Sequence, residues 1–317
     1  FEGSSLICNR DGKVTHNLPA FREACITANW NRGKIKPSSD SVQPYSLVEE
    51  TYQALVLAVK DYVRKNRFKG ALLGLSGCID SAITLAIAVD ALGKENVQAV
   101  MMPFRYTSEM SIEDAQEEAK SLGVKFDIVS IEPMFESFMA QLEPLFDEGE
   151  MGTTQENLQS RCRAIILMAL SNKSGRLVLT TGNKSETAVG YSTLYGDTAG
   201  GFAVLKDVPK TFIYELAKYR NTISKVIPKR VIERAPSAEL APDQKDEDTL
   251  PPYPVLDAII AGYVEQDLCV EQLVALGYDE DVVRKIIRLI DLNEYKRRQS
   301  PIGPKITSRS FGIERRY

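Results

Sequence analysis

The chain has 317 residues, a formal net charge of −4 and 44% hydrophobic residues. This size supplies enough apolar side chains for one large or two ordinary domains, and the mixed, nearly balanced charge excludes disorder over most of the chain. Asp and Glu (43) outnumber Lys and Arg (39), which argues against a protein that binds nucleic acid through bulk charge. No run approaches the ~20 apolar residues of a membrane-spanning helix.

The cysteines are odd in number, widely spaced and never in a CxxC pair. This pattern argues against a disulfide framework and against a structural zinc site, and it predicts that the protein resides in a reducing cytoplasm. Cys162 and Cys269 lie on apolar helical faces and are expected in the core. His16, the only histidine, is expected at the surface. The chain begins at Phe1 without a basic or apolar leader, so we expect no signal peptide and a chain cut from a longer one.

Residues 1–45 differ from the rest. Asp11-Gly12 is a hairpin signal, and the polar run 36–41 resembles a linker. We predict that residues 1–45 are the end of a preceding domain with its linker and that residues 46–317 form the next domain.

From residue 46 onward, strand and helix patterns alternate. The first predicted elements are a helix opened by the capping box of Ser46 and Glu49, a strand at 71–75, a helix at 80–92 and a strand at 97–102. They are followed by a helix opened by Ser111 and Asp114, a strand at 124–131, a helix opened by Thr153 and Glu156, and a strand at 177–180. This order predicts an α/β fold, a doubly wound parallel sheet flanked by helices, with ligands beyond the carboxyl ends of the strands.

The C-terminal part is expected to be mainly helical. After Gly201 the pattern becomes helical and irregular, the proline-rich and acidic segment 235–254 is typical of a mobile loop, and residues 279–298 form a charged amphipathic helix. A basic tail closes the chain. Three adjacent cations, 296–298, are weak support for nucleic-acid binding on an acidic chain.

The segment 73–81, with the sequence LGLSGCIDS, carries the clearest chemistry. A buried strand runs through a small-residue turn into a helix, which leaves backbone N–H groups free to hold phosphate oxygens. Asp80 would repel phosphate unless Mg²⁺ lies between them. The alternative is an ordinary strand-to-helix turn with an Asp near the N-cap. No Walker motif occurs in the chain.

This loop resembles the SGGxDS pyrophosphate loop of N-type ATP pyrophosphatases, with Cys78 in place of the second glycine. Either the loop tolerates a Cβ there and ATP binds normally, or the position needs a positive φ and Cys78 is strained by about 1–3 kcal/mol. We expect a working but weakened enzyme, in which Cys78→Gly should raise kcat/KM for ATP. The place of Cys78 at a helix N-terminus favours the thiolate. Further motifs, at 180–186, 190–197, 206–210, 236–240 and 295–299, resemble the synthetase domain of glutamine-dependent NAD⁺ synthetases. The resemblance implies an adenine nucleotide α-hydrolase-like fold.

The resemblance implies the following site residues. The ATP site comprises Gly74, Leu75, Ser76, Gly77, Cys78, Ile79, Asp80, Ser81, Met102, Arg105, Thr181, Lys210 and Ser237. The Mg²⁺ ligands are Asp80, Glu186 and Ser237, and the catalytic residues are Asp80, Glu186 and Lys210. The dinucleotide site comprises Asn157, Arg161, Glu186, Tyr191, Ser192, Thr193, Leu194 and Lys305.

The implied function is ATP-dependent amidation of deamido-NAD⁺ to NAD⁺ by ammonia, through an adenylated carboxylate, with release of AMP and pyrophosphate. The resemblance also implies a homo-oligomer and a glutaminase domain in the full-length protein, of which residues 1–45 are a remnant. The charge and the apolar run lengths predict no nucleic-acid or membrane partner. Two alternatives stay open: another amidating ATP pyrophosphatase, such as a GMP synthetase-like or asparagine synthetase-like enzyme, and a non-catalytic nucleotide-binding domain, which Cys78 favours.

Overall fold

A computed structural model describes residues 3–31, 34–35, 45–146, 153–237, 239–241 and 246–314. The strands are β1 Leu6–Cys8, β2 Val14–Asn17, β3 Trp30–Asn31, β4 Lys34–Ile35, β5 Ala71–Gly74, β6 Val97–Met101, β7 Lys125–Ile128, β8 Leu177–Thr180 and β9 Phe202–Ala203. The helices are α1 Leu47–Lys65, α2 Ile79–Leu92, α3 Glu109–Leu122, α4 Glu132–Leu142, α5 Thr153–Ser174, α6 Lys184–Val189, α7 Lys210–Ile223, α8 Lys229–Glu233, α9 Tyr253–Ile260, α10 Val270–Ala275, α11 Glu280–Leu292 and α12 Glu294–Arg297.

A five-stranded sheet with the order β7-β6-β5-β8-β9 organises the fold, and all of its pairings are parallel. Alternate residues of β6 enter different core clusters: Ala99 and Met101 pack with α1, α2 and α7, whereas Val100 packs with residues of α4 and α5. Successive strand side chains point to opposite faces, so both faces of the sheet are covered. The predicted doubly wound α/β fold is confirmed. The sequence pattern did not include the short fifth strand, β9.

Element boundaries follow local hydrogen bonding. Ser46 caps α1 by accepting from the Glu49 N–H, as predicted. The cap of α3, by contrast, is Ser108 and not Ser111, because the Ser108 Oγ accepts from the Ser111 N–H while the Ser111 hydroxyl bonds to Glu239. The predicted helix 279–298 is interrupted at Asn293, whose Nδ2 donates to the carbonyls of residues 189 and 289.

Two further predictions from sequence need correction. The segment 235–254 is not simply a loop in its described part, because a 3₁₀ turn occupies Asp246–Asp248 and α9 begins at Tyr253. His16 is buried rather than exposed, with its Nδ1 3.1 Å from the Thr15 Oγ1.

The five cysteines are free thiols. Cys162 is buried as predicted, whereas Cys269 is exposed because it caps α10 instead of packing on an apolar face. The strands β1 and β2 form the predicted antiparallel hairpin, and the polar run 36–41 lies outside the described residues.

Candidate active site

One cavity of about 470 Å³ lies at the carboxyl ends of β5, β6 and β8, where the topology of a doubly wound sheet places ligands. Of the site residues predicted from sequence, the cavity is lined by Gly74, Leu75, Ser76, Cys78, Ile79, Asp80, Ser81, Met102, Asn157, Thr181, Glu186, Tyr191, Ser192, Thr193, Lys210 and Ser237. Within the described part of the chain, five predicted residues are not in that lining: Gly77, Arg105, Arg161, Leu194 and Lys305.

The turn between β5 and α2 has the geometry of a phosphate loop. Gly77 has φ +79°, and a Cβ there would collide with the backbone carbonyl of Ser111, so this position requires glycine. The N-cap of α2 gives no side-chain hydrogen bond, which leaves the first-turn N–H groups of α2 available to an anion. The hydroxyls of Ser76 and Ser81 lie 3.1 Å apart beside them.

Cys78 adopts φ −100° and ψ 158°, an extended conformation that any residue accepts. The expectation of strain at this position is therefore wrong, since the positive φ belongs to Gly77. The Cys78 thiol donates to the Ser237 carbonyl at 3.4 Å and lies 3.6 Å from the Nη2 of Arg234. Burial raises the pKa of the Cys78 thiol, which opposes the thiolate expected from its place at a helix N-terminus.

A compact charged cluster adjoins the phosphate loop, which contributes Asp80 to it. The Nζ of Lys210 donates to the Asp80 carboxylate and to the Glu186 Oε1, the latter at 3.2 Å. Lys210 is 2% exposed and Asp80 is 8% exposed. Burial raises the pKa of Glu186 to about 7 despite the opposing charge of Lys210. Burial also opposes the charged form of Lys210, but the two carboxylates outweigh it and raise the Lys210 pKa well above its usual value.

The donor chemistry of this cluster fits a magnesium ion. Asp80 and Glu186 already converge on one cation, the Lys210 ammonium group, and carboxylate oxygens are ligands that Mg²⁺ prefers. Among the described residues no group of three or more His, Cys, Asp or Glu side chains is placed to hold a metal. The two carboxylates therefore suit an ion that takes its other ligands from phosphate and water, as Mg²⁺ does in nucleotide sites.

Residues without an assigned role also enter the site. Asn183 lies within the 180–186 motif and had no predicted role, yet its Nδ2 donates to the Asp80 Oδ1 at 2.9 Å. Asp246 is buried in the cavity wall, where its Oδ2 accepts from the Tyr253 hydroxyl at 2.8 Å. The Asp246 Oδ1 has no hydrogen-bond partner among the residues described, and burial raises the pKa of this carboxyl group. Asp246 belongs to an acidic segment without periodicity, so no sequence signal distinguished it from its neighbours.

The predicted dinucleotide residues divide into two groups. Asn157 and Thr193 lie together in the cavity wall, where the Thr193 hydroxyl donates to the Asn157 Oδ1 at 2.7 Å. Arg161 is exposed, and its Nε donates to the Leu194 carbonyl at 3.2 Å.

The two remaining predicted cations pair with carboxylates away from the cavity lining. Arg105 pairs with Glu136 at 2.7 Å and with Glu132, and Lys305 pairs with Glu314. In this conformation neither cation is directed at a ligand in the cavity.

The family model for NAD synthase matches residues 51–300. The chain is 56% identical over 320 residues to a glutamine-dependent NAD⁺ synthetase of Acinetobacter baylyi, covering all of this chain and 59% of that protein. It is 49% identical over 327 residues to a glutamine-dependent NAD⁺ synthetase of Xanthomonas campestris, covering 58% of that protein. The chain thus spans about three fifths of the length of these curated relatives.

Solved structures give the same relationship. The glutamine-dependent NAD⁺ synthetase of Acinetobacter baumannii in complex with ADP matches with a TM-score of 0.73 and 52% identity, covering all of this chain and 58% of that one. The NMN synthetase of Francisella tularensis matches with a TM-score of 0.69 and 27% identity, covering 80% of this chain and 96% of that one. No helix in the described ranges is long and apolar enough to cross a membrane.

Proposed function

Because the chain belongs to the NAD synthase family, we propose that it converts deamido-NAD⁺ to NAD⁺ with ATP and ammonia. The observation that carries this proposal is the phosphate loop, whose Asp80 joins Lys210 and Glu186 in one charged cluster at the same cavity. This arrangement places anion-binding N–H groups beside a cation and two carboxylates, as transfer of an adenylyl group requires.

The reaction has two balanced steps. A carboxylate oxygen of deamido-NAD⁺ bonds to the α-phosphorus of ATP. The bond between the α-phosphorus and the oxygen that bridges the α- and β-phosphates breaks, and pyrophosphate leaves. Ammonia then bonds to the activated carbonyl carbon, AMP leaves with the former carboxylate oxygen, and one proton is released to solvent. Neither step requires a protein nucleophile, so the protein contributes mainly position and charge.

The ATP side of the site is assigned to the turn 74–81. Its N–H groups and the hydroxyls of Ser76 and Ser81 bind the phosphates, with Thr181 and Met102 lining the same cavity. The buried Lys210 ammonium stabilises the charge that develops on pyrophosphate. To contact ATP as proposed, the Arg105 side chain would have to leave its ion pairs with Glu132 and Glu136.

Asp80 and Glu186 are the residues that would hold Mg²⁺, with Ser237, whose carbonyl accepts from the Cys78 thiol, as the third proposed ligand in the same cavity lining. When bound, the ion screens the repulsion between these carboxylates and the phosphates and supports the charge on the leaving group. In the structure, the Lys210 ammonium group pairs with both carboxylates.

The dinucleotide is assigned to the wall formed by Asn157, Glu186 and residues 191–193, where Tyr191 offers an aromatic face for the nicotinate ring. Arg161, Leu194 and Lys305 lie outside the cavity lining in the described chain. We keep them as proposed contacts of the dinucleotide.

The wider context is also proposed. Residues 1–45 are assigned to the end of a glutaminase domain that supplies ammonia in the full-length protein, a reading that the longer relatives support. The protein is proposed to act as a homo-oligomer in the cytoplasm, where its five free thiols would stay reduced.

Product analysis tests the function. Purified protein with ATP, Mg²⁺, ammonium and deamido-NAD⁺ should give equal amounts of NAD⁺, AMP and pyrophosphate, and XMP in place of deamido-NAD⁺ should give no AMP. AMP formation with XMP would favour the GMP synthetase-like alternative. ATP binding with no AMP from either deamido-NAD⁺ or XMP would favour a non-catalytic domain.

A further inference from the structure

We propose that Asn183 is a positioning residue that fixes Asp80 and Glu186 relative to each other for the divalent cation. This inference rests on the proposed function, because it assigns a role within the same site. It arises from one side chain that contacts both carboxylate-bearing segments.

Asn183 is fully buried, and both ends of its amide are used. Its Oδ1 accepts from the Glu186 N–H at 2.9 Å and so caps α6, the six-residue helix that carries Glu186. Its Nδ2 donates to the Asp80 Oδ1, also at 2.9 Å. Because Asp80 lies in the first turn of α2, a single amide links the starts of the two helices.

This link assigns a separate partner to each oxygen of Asp80. The Oδ1 is held by the neutral Asn183 amide, and the Oδ2 is paired with the Lys210 ammonium group. Glu186 contacts the same ammonium group through its Oε1. Asn183 therefore directs the Asp80 Oδ2 and the Glu186 carboxylate toward one point, which is the arrangement a shared cation requires.

Other N-cap residues can perform only one of these two functions. Serine and threonine at position 183 can cap α6 through their hydroxyl oxygens. Their shorter side chains lack the amide group that donates to Asp80. Substitution by serine or threonine thus separates the cap from the link to Asp80.

The test compares Asn183→Ser and Asn183→Thr with wild type. Mn²⁺ serves as the probe ion and is titrated into enzyme bound to a non-hydrolysable α,β-methylene analogue of ATP, with binding followed by electron paramagnetic resonance. Thermal unfolding of each variant is recorded in parallel. The matched control is Asn221→Ser, because the Asn221 amide bridges backbone groups of residues 226 and 227 outside the cavity lining.

We expect the two Asn183 variants to remain folded and to bind Mn²⁺ about 10–100-fold more weakly, with kcat reduced to a similar extent. Asn221→Ser should keep the wild-type Mn²⁺ affinity. Unchanged Mn²⁺ affinity in both Asn183 variants would overturn the proposal, and so would loss of the fold in both, since that would make Asn183 structural only. If wild type binds Mn²⁺ but makes no NAD⁺, the proposed function fails while the assignment of Asn183 stands.

Discussion

The Nζ of Lys210 lies 3.2 Å from the Oε1 of Glu186, and the same ammonium group donates to Asp80. One buried cation therefore holds two carboxylates together at the end of the sheet. In the proposed reaction, phosphate oxygens would compete for the Lys210 ammonium group, and a divalent ion would compete for the two carboxylates. Lys210 would thus pair with carboxylates in the free protein and with phosphate in the bound state.

Replacing this lysine should affect chemistry more than folding. In Lys210→Met, the charge on the departing pyrophosphate loses its preorganised cation, and we expect kcat for NAD⁺ formation to fall by about 10²–10³-fold. The melting temperature should fall as well, because two buried carboxylates lose their counter-charge. Lys218→Met is the control, since Lys218 is exposed and pairs only with Glu215 among the described residues. Turnover within a factor of two of wild type in Lys210→Met would remove Lys210 from the mechanism.

The pH dependence of stability should report on Glu118, a fully buried carboxyl group with no hydrogen-bond partner for either oxygen among the described residues. Burial raises the pKa of Glu118 well above its usual value. The folded state therefore keeps a proton that the unfolded state releases. Stability from this group is present below the unfolded pKa and is lost as pH rises toward the folded pKa, by up to about 1.4 kcal/mol for each pH unit.

Glu118→Met should remove that loss. The free energy of unfolding in urea should be measured for both proteins at pH 5 and pH 8. The value for the variant minus that for wild type should be larger at pH 8 than at pH 5. Glu117→Met is the matched control, because Glu117 is exposed on the same helix and should give no pH-dependent difference. An equal effect of Glu118→Met at both pH values would mean that Glu118 is ionised in the folded protein.

The phosphate loop allows two neighbouring substitutions to be compared. Gly77→Ala places a Cβ at φ +79° against the Ser111 carbonyl, so kcat/KM for ATP should fall about 5–150-fold, given strain of about 1–3 kcal/mol. Cys78→Gly removes only a weak thiol contact, and kcat/KM should stay within about threefold of wild type. A large gain in Cys78→Gly would restore the expectation of strain at that position.

Thiol chemistry gives a second check on Cys78. Because burial raises the pKa of its thiol, Cys78 should react with a maleimide at pH 7.5 more slowly than the exposed Cys269. Peptide mapping after short labelling measures both rates in one sample. Faster labelling of Cys78 would indicate the thiolate that a helix N-terminus favours.

The sequence predicted the sheet well because its strands are short apolar runs bounded by turn residues. The strand at 177–180 was predicted without error, and the strand at 97–102 was one residue too long. The start of α3 was placed three residues late because Ser108 and Ser111 are equivalent as caps in sequence. Only the position of Glu239, distant in the chain, shows that Ser111 is engaged elsewhere.

The candidate site was predictable where motifs are contiguous and less so where contacts are long-range. Residues of the 74–81 turn are found in the cavity together with Glu186 and Lys210, as the resemblance implied. The environment of Cys78 depends on Ser237 and Arg234, more than 150 positions away. Asn183 caps α6 through a local bond, but its bond to Asp80 spans 103 positions, and Asp246 is set apart from its acidic neighbours by burial, which no local pattern encodes.

The most direct measurement follows the oxygen atoms of the substrate carboxylate. Deamido-NAD⁺ labelled with ¹⁸O in the nicotinate carboxylate is incubated with the protein, ATP, Mg²⁺ and ammonium, and the products are analysed by mass spectrometry. If the carboxylate attacks the α-phosphorus, one ¹⁸O atom per turnover must appear in AMP and none in pyrophosphate. Label in inorganic phosphate together with ADP, or AMP formed without label, would contradict the adenylate on which the proposed function depends.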